Sequence, residues 1–175
     1  MSNLKQDKIV VVDKASKHPF QDATVINALV AGISNTLSEM CQLTCEFGKP
    51  FVEKHWVPIG DGSGVMELKS TLHNGFLRIH FPQQAIFKIM DRLIGEPPQE
   101  FNDSVLDGIG EITNIVYGTM KATLNPKGYA FKMASPKAEF TKQLQPSTDV
   151  TKHLILPFVV DGSECFIEII LSTTN

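Results

Sequence analysis

Asp107, Glu111 and Asn114 stand at i, i+4 and i+7 within the stretch Asp103–Leu124. On an α-helix that spacing brings two carboxylates and an amide into one line. Val105, Leu106, Ile109, Ile112, Val116 and Met120 recur at helical spacing in the same stretch and make a broad apolar face opposite the polar line. Gly110 and Gly118 lie beside the line. A glycine inside a helix costs roughly 0.5–1 kcal/mol relative to alanine. Polar residues on the outside of an amphipathic helix are ordinarily a solvated face, and such a face favours alanine, lysine or glutamate over glycine. The glycines point instead to a bare ridge that something bulky can approach. A carboxylate–amide ridge of this kind suits a site that projects into a partner better than a closed pocket.

Other chemistry finds little support. His18, His55, His73, His80 and His153 are scattered, with no HxxxH or HExxH pair and no Cys/His cluster, so no metal site is expected. Cys41, Cys45 and Cys165 are an odd number with no CxxC spacing and read as reduced thiols. Cys41 falls on the apolar side of a helical pattern with no base beside it and reads as a core thiol rather than a nucleophile. No GxSxG motif is present. Gly60-Asp61-Gly62-Ser63-Gly64 is rich in glycine, but no lysine with Ser/Thr follows at P-loop spacing, so it reads as a turn.

The elements that must hold the ridge can be placed in order. Ile9–Val12 is a short β-branched run, a possible first strand. Asp22 can cap a long helix carrying Val25, Ile26, Leu29, Val30, Ile33, Leu37, Met40 and Cys41 and ending near Leu43. Its small residues Ala28, Ala31, Gly32 and Ser34 allow close packing against another helix. Val65–Phe81 carries a β signal, with Asn74-Gly75 as a two-residue hairpin turn. That turn sets Leu72 opposite Leu77, Ser70 opposite Ile79 and Leu68 opposite Phe81, with one dry face and one wet face. Pro82 opens a second helix that Gly95 closes. Glu100–Asp103 caps the ridge helix, and Asn125–Gly128 ends it. Tyr129–Met133 reads as a strand and 141–150 as a loop. His153–Val160 and Cys165–Leu171 form a hairpin across Asp161-Gly162-Ser163, apolar on both faces. Pro157 puts the first of these strands near an edge or a bulge.

With 175 residues, 42% hydrophobic and 20% charged, the chain suits one globular domain over 1–175, in which 1–17 is an extra N-terminal strand or arm. The expected fold class is α+β, an antiparallel sheet of about six strands packed against two long helices. A net charge of −3 argues against nucleic acid as a partner. No apolar run approaches the ~18 residues of a membrane span, and the N-terminus lacks the apolar core of a signal peptide, so a cytoplasmic protein is expected.

The pattern Asp107-x3-Glu111-x2-Asn114, on a helix that follows a Pro-rich linker, resembles the signature of the CheC/CheX/FliY family of chemotaxis phosphatases. That signature is Asp/Ser-x3-Glu-x2-Asn with a proline further on, a place that Pro136 takes at slightly shorter spacing. Pro19-Phe20 before the first helix and the single copy of the motif are most similar to CheX. A second copy, as in CheC, would have to be Asn35-x3-Glu39-x2-Gln42, which departs from the pattern at its first and last positions.

The resemblance implies hydrolysis of the phospho-aspartate of a CheY-like response-regulator receiver domain. It gives Asn114 the orientation of the attacking water and Glu111 a salt bridge to the receiver's lysine. Asp107, with Gly110 and Gly118, becomes part of the docking surface. It also implies no cofactor of the chain's own, Mg2+ held by the receiver, and a homodimer that joins its sheets through the doubly apolar C-terminal hairpin. That hairpin is equally compatible with a central position buried on both sides. Two other readings stand beside this one. One is a non-catalytic signalling or motor adaptor of the same fold that binds a receiver; the other is an α/β enzyme of unrelated chemistry.

Overall fold

The computed structural model describes residues 23–71, 73–144 and 152–173. The expected strand at Ile9–Val12, the Asp22 cap and the N-terminal arm lie outside them, as does most of the expected loop at 141–150. The helices are α1 (Ala23–Cys41), α2 (Gln83–Ile94) and α3 (Asp103–Leu124). The strands are β1 (Cys45–Phe47), β2 (Phe51–Glu53), β3 (Gly62–Lys69), β4 (His73–Phe81), β5 (Lys137–Phe140), β6 (His153–Val160) and β7 (Ser163–Thr173). Every pairing is antiparallel, in the order β1–β6–β7–β4–β3–β5, with β2 also on β6. The α+β architecture holds, with seven strands and three helices among the described residues.

The helices share one core with one face of the sheet. Met66, Leu68, Leu77, Ile79, Phe81, Leu156 and Ile167 meet Leu29, Ile33, Ile109, Ile112 and Val116 in a single apolar cluster. Alternation puts these strand residues on a common side. Helix α1 approaches α3 closely at Gly32, where a Cβ would lie 3.2 Å from the carbonyl oxygen of Val116. The close packing expected of its small residues is realised there.

The β3–β4 register differs from the expected one. Lys69 pairs with Asn74 and Met66 with Leu77, so Asn74-Gly75 is not the turn. Both residues lie inside β4, which also pairs with β7 through Asn74↔Ser172 and Gly75↔Leu171. Pairing along two long neighbours outweighs a local preference for a tight turn. Leu68 was expected opposite Phe81 and meets Gly75, a shift of six residues (81 − 75). The shift is even, so Leu68, Leu77, Ile79 and Phe81 still share the dry face. Pro157 lies in β6 between the residues paired with β1 and those paired with β2. Its missing N–H therefore falls at a break in the neighbouring strand.

The second face of β4 is not wet, because the sheet buries a polar network there. Thr141 and His80 each hydrogen-bond Ser63 Oγ at 2.7 Å, and His80 Nε2 meets Glu168 Oε2 at 3.0 Å. Arg78 and His153 complete the shell around the Glu168 carboxylate. Ser63, His80 and Glu168 are fully buried. The order Ser63–His80–Glu168 is that of a nucleophile relay, but its members are sealed from solvent and pair with one another. Burial pushes the Glu168 pKa up. Its hydrogen bond to His80, the charges of Arg78 and His80 and its bond to His153 outweigh this and hold it below the ordinary value. A lowered folded pKa stabilises the fold above the unfolded value near 4.5, and that contribution is lost as pH falls through the folded value. Thermal melts of wild type and Glu168→Gln should therefore differ most above that pH and converge below it. A gap independent of pH would exclude this account.

The expected strand at Tyr129–Met133 is also absent; the strand starts later, as β5. Asn125 takes over the backbone of Phe131, donating from Nδ2 to its carbonyl at 3.0 Å and accepting from its N–H at 2.8 Å. Ala130 adopts a left-handed backbone, φ 52°. The segment is an irregular strap fixed by side chains rather than by a ladder.

Candidate functional site

Asn102 caps α3, its Oδ1 accepting from the N–H groups of Ser104 and Val105 at 3.1 and 3.4 Å. Val105, Ile109, Ile112, Val116, Met120 and Leu124 are buried against the core. Asp107, Glu111, Asn114 and Gly118 are exposed, so the structure brings the four together as one outward row. A Cβ at Gly118 would meet nothing within 4 Å. Gly110 is placed differently: it is buried at the foot of the row, where a Cβ would lie 3.8 Å from Ala138 Cβ of β5.

The helix is seated by Gly62 and Gly64, which lie in β3 and not in the turn expected over Gly60–Gly64. A Cβ at Gly64 would overlap Thr113 Oγ1 and lie 2.9 Å from Thr113 Cβ. One at Gly62 would overlap Ile109 Cδ1 and lie 2.6 Å from Phe101 Cζ. Both residues belong to β3 and face α3, so the helix rests almost on the strand backbone. Thr113 Oγ1 donates to Ile109 O at 2.8 Å and is satisfied in this tight space. The signal was glycine at i and i+2, one face of a strand, and it was obscured by the overlapping turn pattern.

The strap forms a second wall. Tyr117 OH donates to Lys132 O at 2.6 Å, Lys121 Nζ contacts Met133 Sδ, and Ala138 lies by Gly110. Residue numbers rise along the strap as they fall along α3, so the two run antiparallel.

A shallow cleft of about 300 Å³ lies between the end of α2 and the start of α3, lined in part by Met90, Glu96, Pro97 and Asn102, and includes neither Glu111 nor Asn114. Among the described residues no group of three or more His, Cys, Asp and Glu is gathered for a metal ion. No described helix is long and apolar enough to cross a membrane. The three cysteines are free thiols. Burial raises the pKa of Cys41, and burial together with the charges of Cys45 and Glu164 pushes Cys165 to about 12. These thiols resist ionisation and are poor nucleophiles.

The fold is that of the CheC-like proteins. A CheC-like protein from Shewanella sp. PV-4 is 30% identical, with 85% of this chain and 97% of that chain covered and a TM-score of 0.76. The chemotaxis protein CheX from Vibrio vulnificus is 31% identical over 85% of this chain and 99% of that one, also at a TM-score of 0.76. CheX in the CheX–CheY–BeF3–Mg2+ complex from Borrelia burgdorferi is 23% identical over 84% and 97%, with a TM-score of 0.71, and shares the fold. A search of curated proteins gave no match. The family model for the chemotaxis phosphatase CheX matches residues 63–159, which take in Gly64, all of α3 and the strap. The chain belongs to the CheX family of chemotaxis phosphatases.

Proposed function

We propose that this chain hydrolyses the phospho-aspartate of a CheY-type receiver domain through Glu111 and Asn114. The observation that carries the reading is the exposed Glu111–Asn114 row on a helix seated rigidly on β3, in a chain of the CheX family. The Borrelia CheX, of the same fold, occurs in complex with CheY, BeF3 and Mg2+. BeF3 has the charge and shape of a phosphoryl group, and Mg2+ is assigned to the receiver. The acyl phosphate is a reactive bond, so the chain has to position water rather than supply a nucleophile.

In this mechanism Asn114 enters the receiver's phosphorylation site. Its carboxamide oxygen accepts from a water while its NH2 donates to an oxygen nearby, which fixes the water in line with phosphorus. The water oxygen bonds to phosphorus and the phosphorus–carboxylate oxygen bond breaks. The products are inorganic phosphate, the free aspartate carboxylate and a proton. Glu111 pairs with the receiver's lysine and holds the helix in register. Asp107 docks at the edge of the footprint, and Gly118 leaves space for the partner's backbone.

The test is phosphate release from a CheY-type receiver charged with acetyl phosphate, with and without the chain. Decay at the receiver's own rate in both would sink the reading. Glu111→Lys sets like charge against the receiver's lysine. It should raise KM by at least about tenfold and weaken the affinity for the BeF3-charged receiver in parallel. Unchanged affinity in calorimetry would remove Glu111 from the interface.

A further inference from the structure

The strap beside the ridge carries a side chain that neither the core nor the proposed chemistry uses. Met133 is 83% exposed, the most exposed large apolar side chain among the described residues. A single exposed apolar residue is normal on a protein surface. Met133, however, sits on a fastened backbone. Its neighbours Phe131 and Lys132 are held by Asn125, by Tyr117 and by the Lys132 N–H bond to Lys69 O at 2.9 Å. Strap and helix therefore present Met133 at a fixed place, its sulfur against Lys121 Nζ. Lys121 is seven residues from Asn114, on the same stripe and about 10 Å along the axis. That distance falls well inside an interface of about 800 Å² per partner.

We propose that Met133 is the apolar anchor of the receiver's footprint. The phosphorylated receiver sits on ridge and strap together, with Asn114 entering the phosphorylation site and Met133 filling an apolar recess on the receiver surface beside it. The identity of the occupant rests on the phosphatase reading above. Three observations select a receiver domain over other occupants. The anchor is continuous with the Glu111–Asn114 row. The ammonium of Lys121 beneath it complements a surface made acidic by phosphate and the carboxylates that bind Mg2+. A thioether, unbranched and polarisable, adapts to a recess it meets only on docking, and methionine is enriched at the buried centre of interfaces.

The experiment uses the full chain with Met133→Ser and Met133→Leu. One readout is phosphate release from acetyl-phosphate-charged CheY-type receivers; the other is calorimetry with the same receivers charged with BeF3 and Mg2+. Met133→Ser should raise KM and Kd about tenfold and leave kcat within about twofold, the signature of lost binding rather than lost chemistry. Met133→Leu should restore both. A KM and Kd within about twofold of wild type for Met133→Ser overturn the anchor and leave the phosphatase reading intact. Should the wild type fail to accelerate release, the phosphatase reading falls and the calorimetry decides. A tenfold loss of binding then upholds the anchor in a receiver-binding protein, and absence of binding by the wild type overturns it.

Discussion

Asn114→Ala is expected to slow phosphate release from a charged receiver by about 10²–10³-fold, the scale for removing one aligned polar group from a transition state. Binding should survive. Asn114 is exposed at the crest of α3 and makes no contact that holds the fold together. Truncation leaves Ile112, Thr113 and Val116 packed as before. The affinity of the BeF3-charged receiver should stay within about threefold, because the lost interaction is one made mainly in the transition state. Retained turnover in Asn114→Ala would remove the proposed mechanism. Loss of binding and turnover together would make Asn114 a docking residue.

The second large effect is expected far from any partner. Gly64→Ala places a methyl group where Thr113 Oγ1 already stands. Either α3 lifts from β3 or the strand bends, at a cost of about 1–3 kcal/mol. The thermal midpoint should fall by about 2–4 °C for each kcal/mol. Lifting the helix also displaces Asn114, and misplacement by about 1 Å can cost 10²-fold in rate. The double variant Gly64→Ala/Thr113→Ala removes the overlapping oxygen and should recover part of the stability, a coupling of about 0.5–3 kcal/mol. An unchanged melt for Gly64→Ala would mean that the strand–helix contact is not tight in solution.

What could be read in the sequence had local causes. The amphipathic period of α3, the caps around α2 and the doubly apolar β6–β7 hairpin are each written in a few consecutive residues, and all three stand. The row Asp107, Glu111 and Asn114 was visible for the same reason, since a helix makes neighbours of residues three and four apart. The errors arose where distant strands decide. Asn74-Gly75 has strong turn chemistry, but β7 lies alongside β4 and takes both residues into its ladder. His80 falls on the face of its hairpin expected to be wet, and Glu168 belongs to a separate hairpin expected to be apolar on both faces. Their meeting at 3.0 Å across 88 residues of chain leaves no trace in either local pattern. The glycines of β3 were noticed for the wrong reason, because what they make room for is 39 to 49 residues away (101 − 62 and 113 − 64). The bareness of the ridge drew attention to it, while the phosphatase expectation came from the resemblance of the spacing Asp107-x3-Glu111-x2-Asn114 to the family signature.

Thr113 and Asn114 are adjacent in the chain and opposite in circumstance. One is fully buried beneath the helix, the other stands in water above it. The helix thereby divides inheritance between its two sides. Mutation can sample new partners along the crest at almost no risk to folding, while the underside stays under constant structural constraint. Many enzymes lose stability as their active sites are altered, because site and core share residues. Here the proposed site and the core are separate sets on one element. Relatives of this chain should be able to exchange receivers through crest and strap substitutions that leave their melting temperatures nearly unchanged.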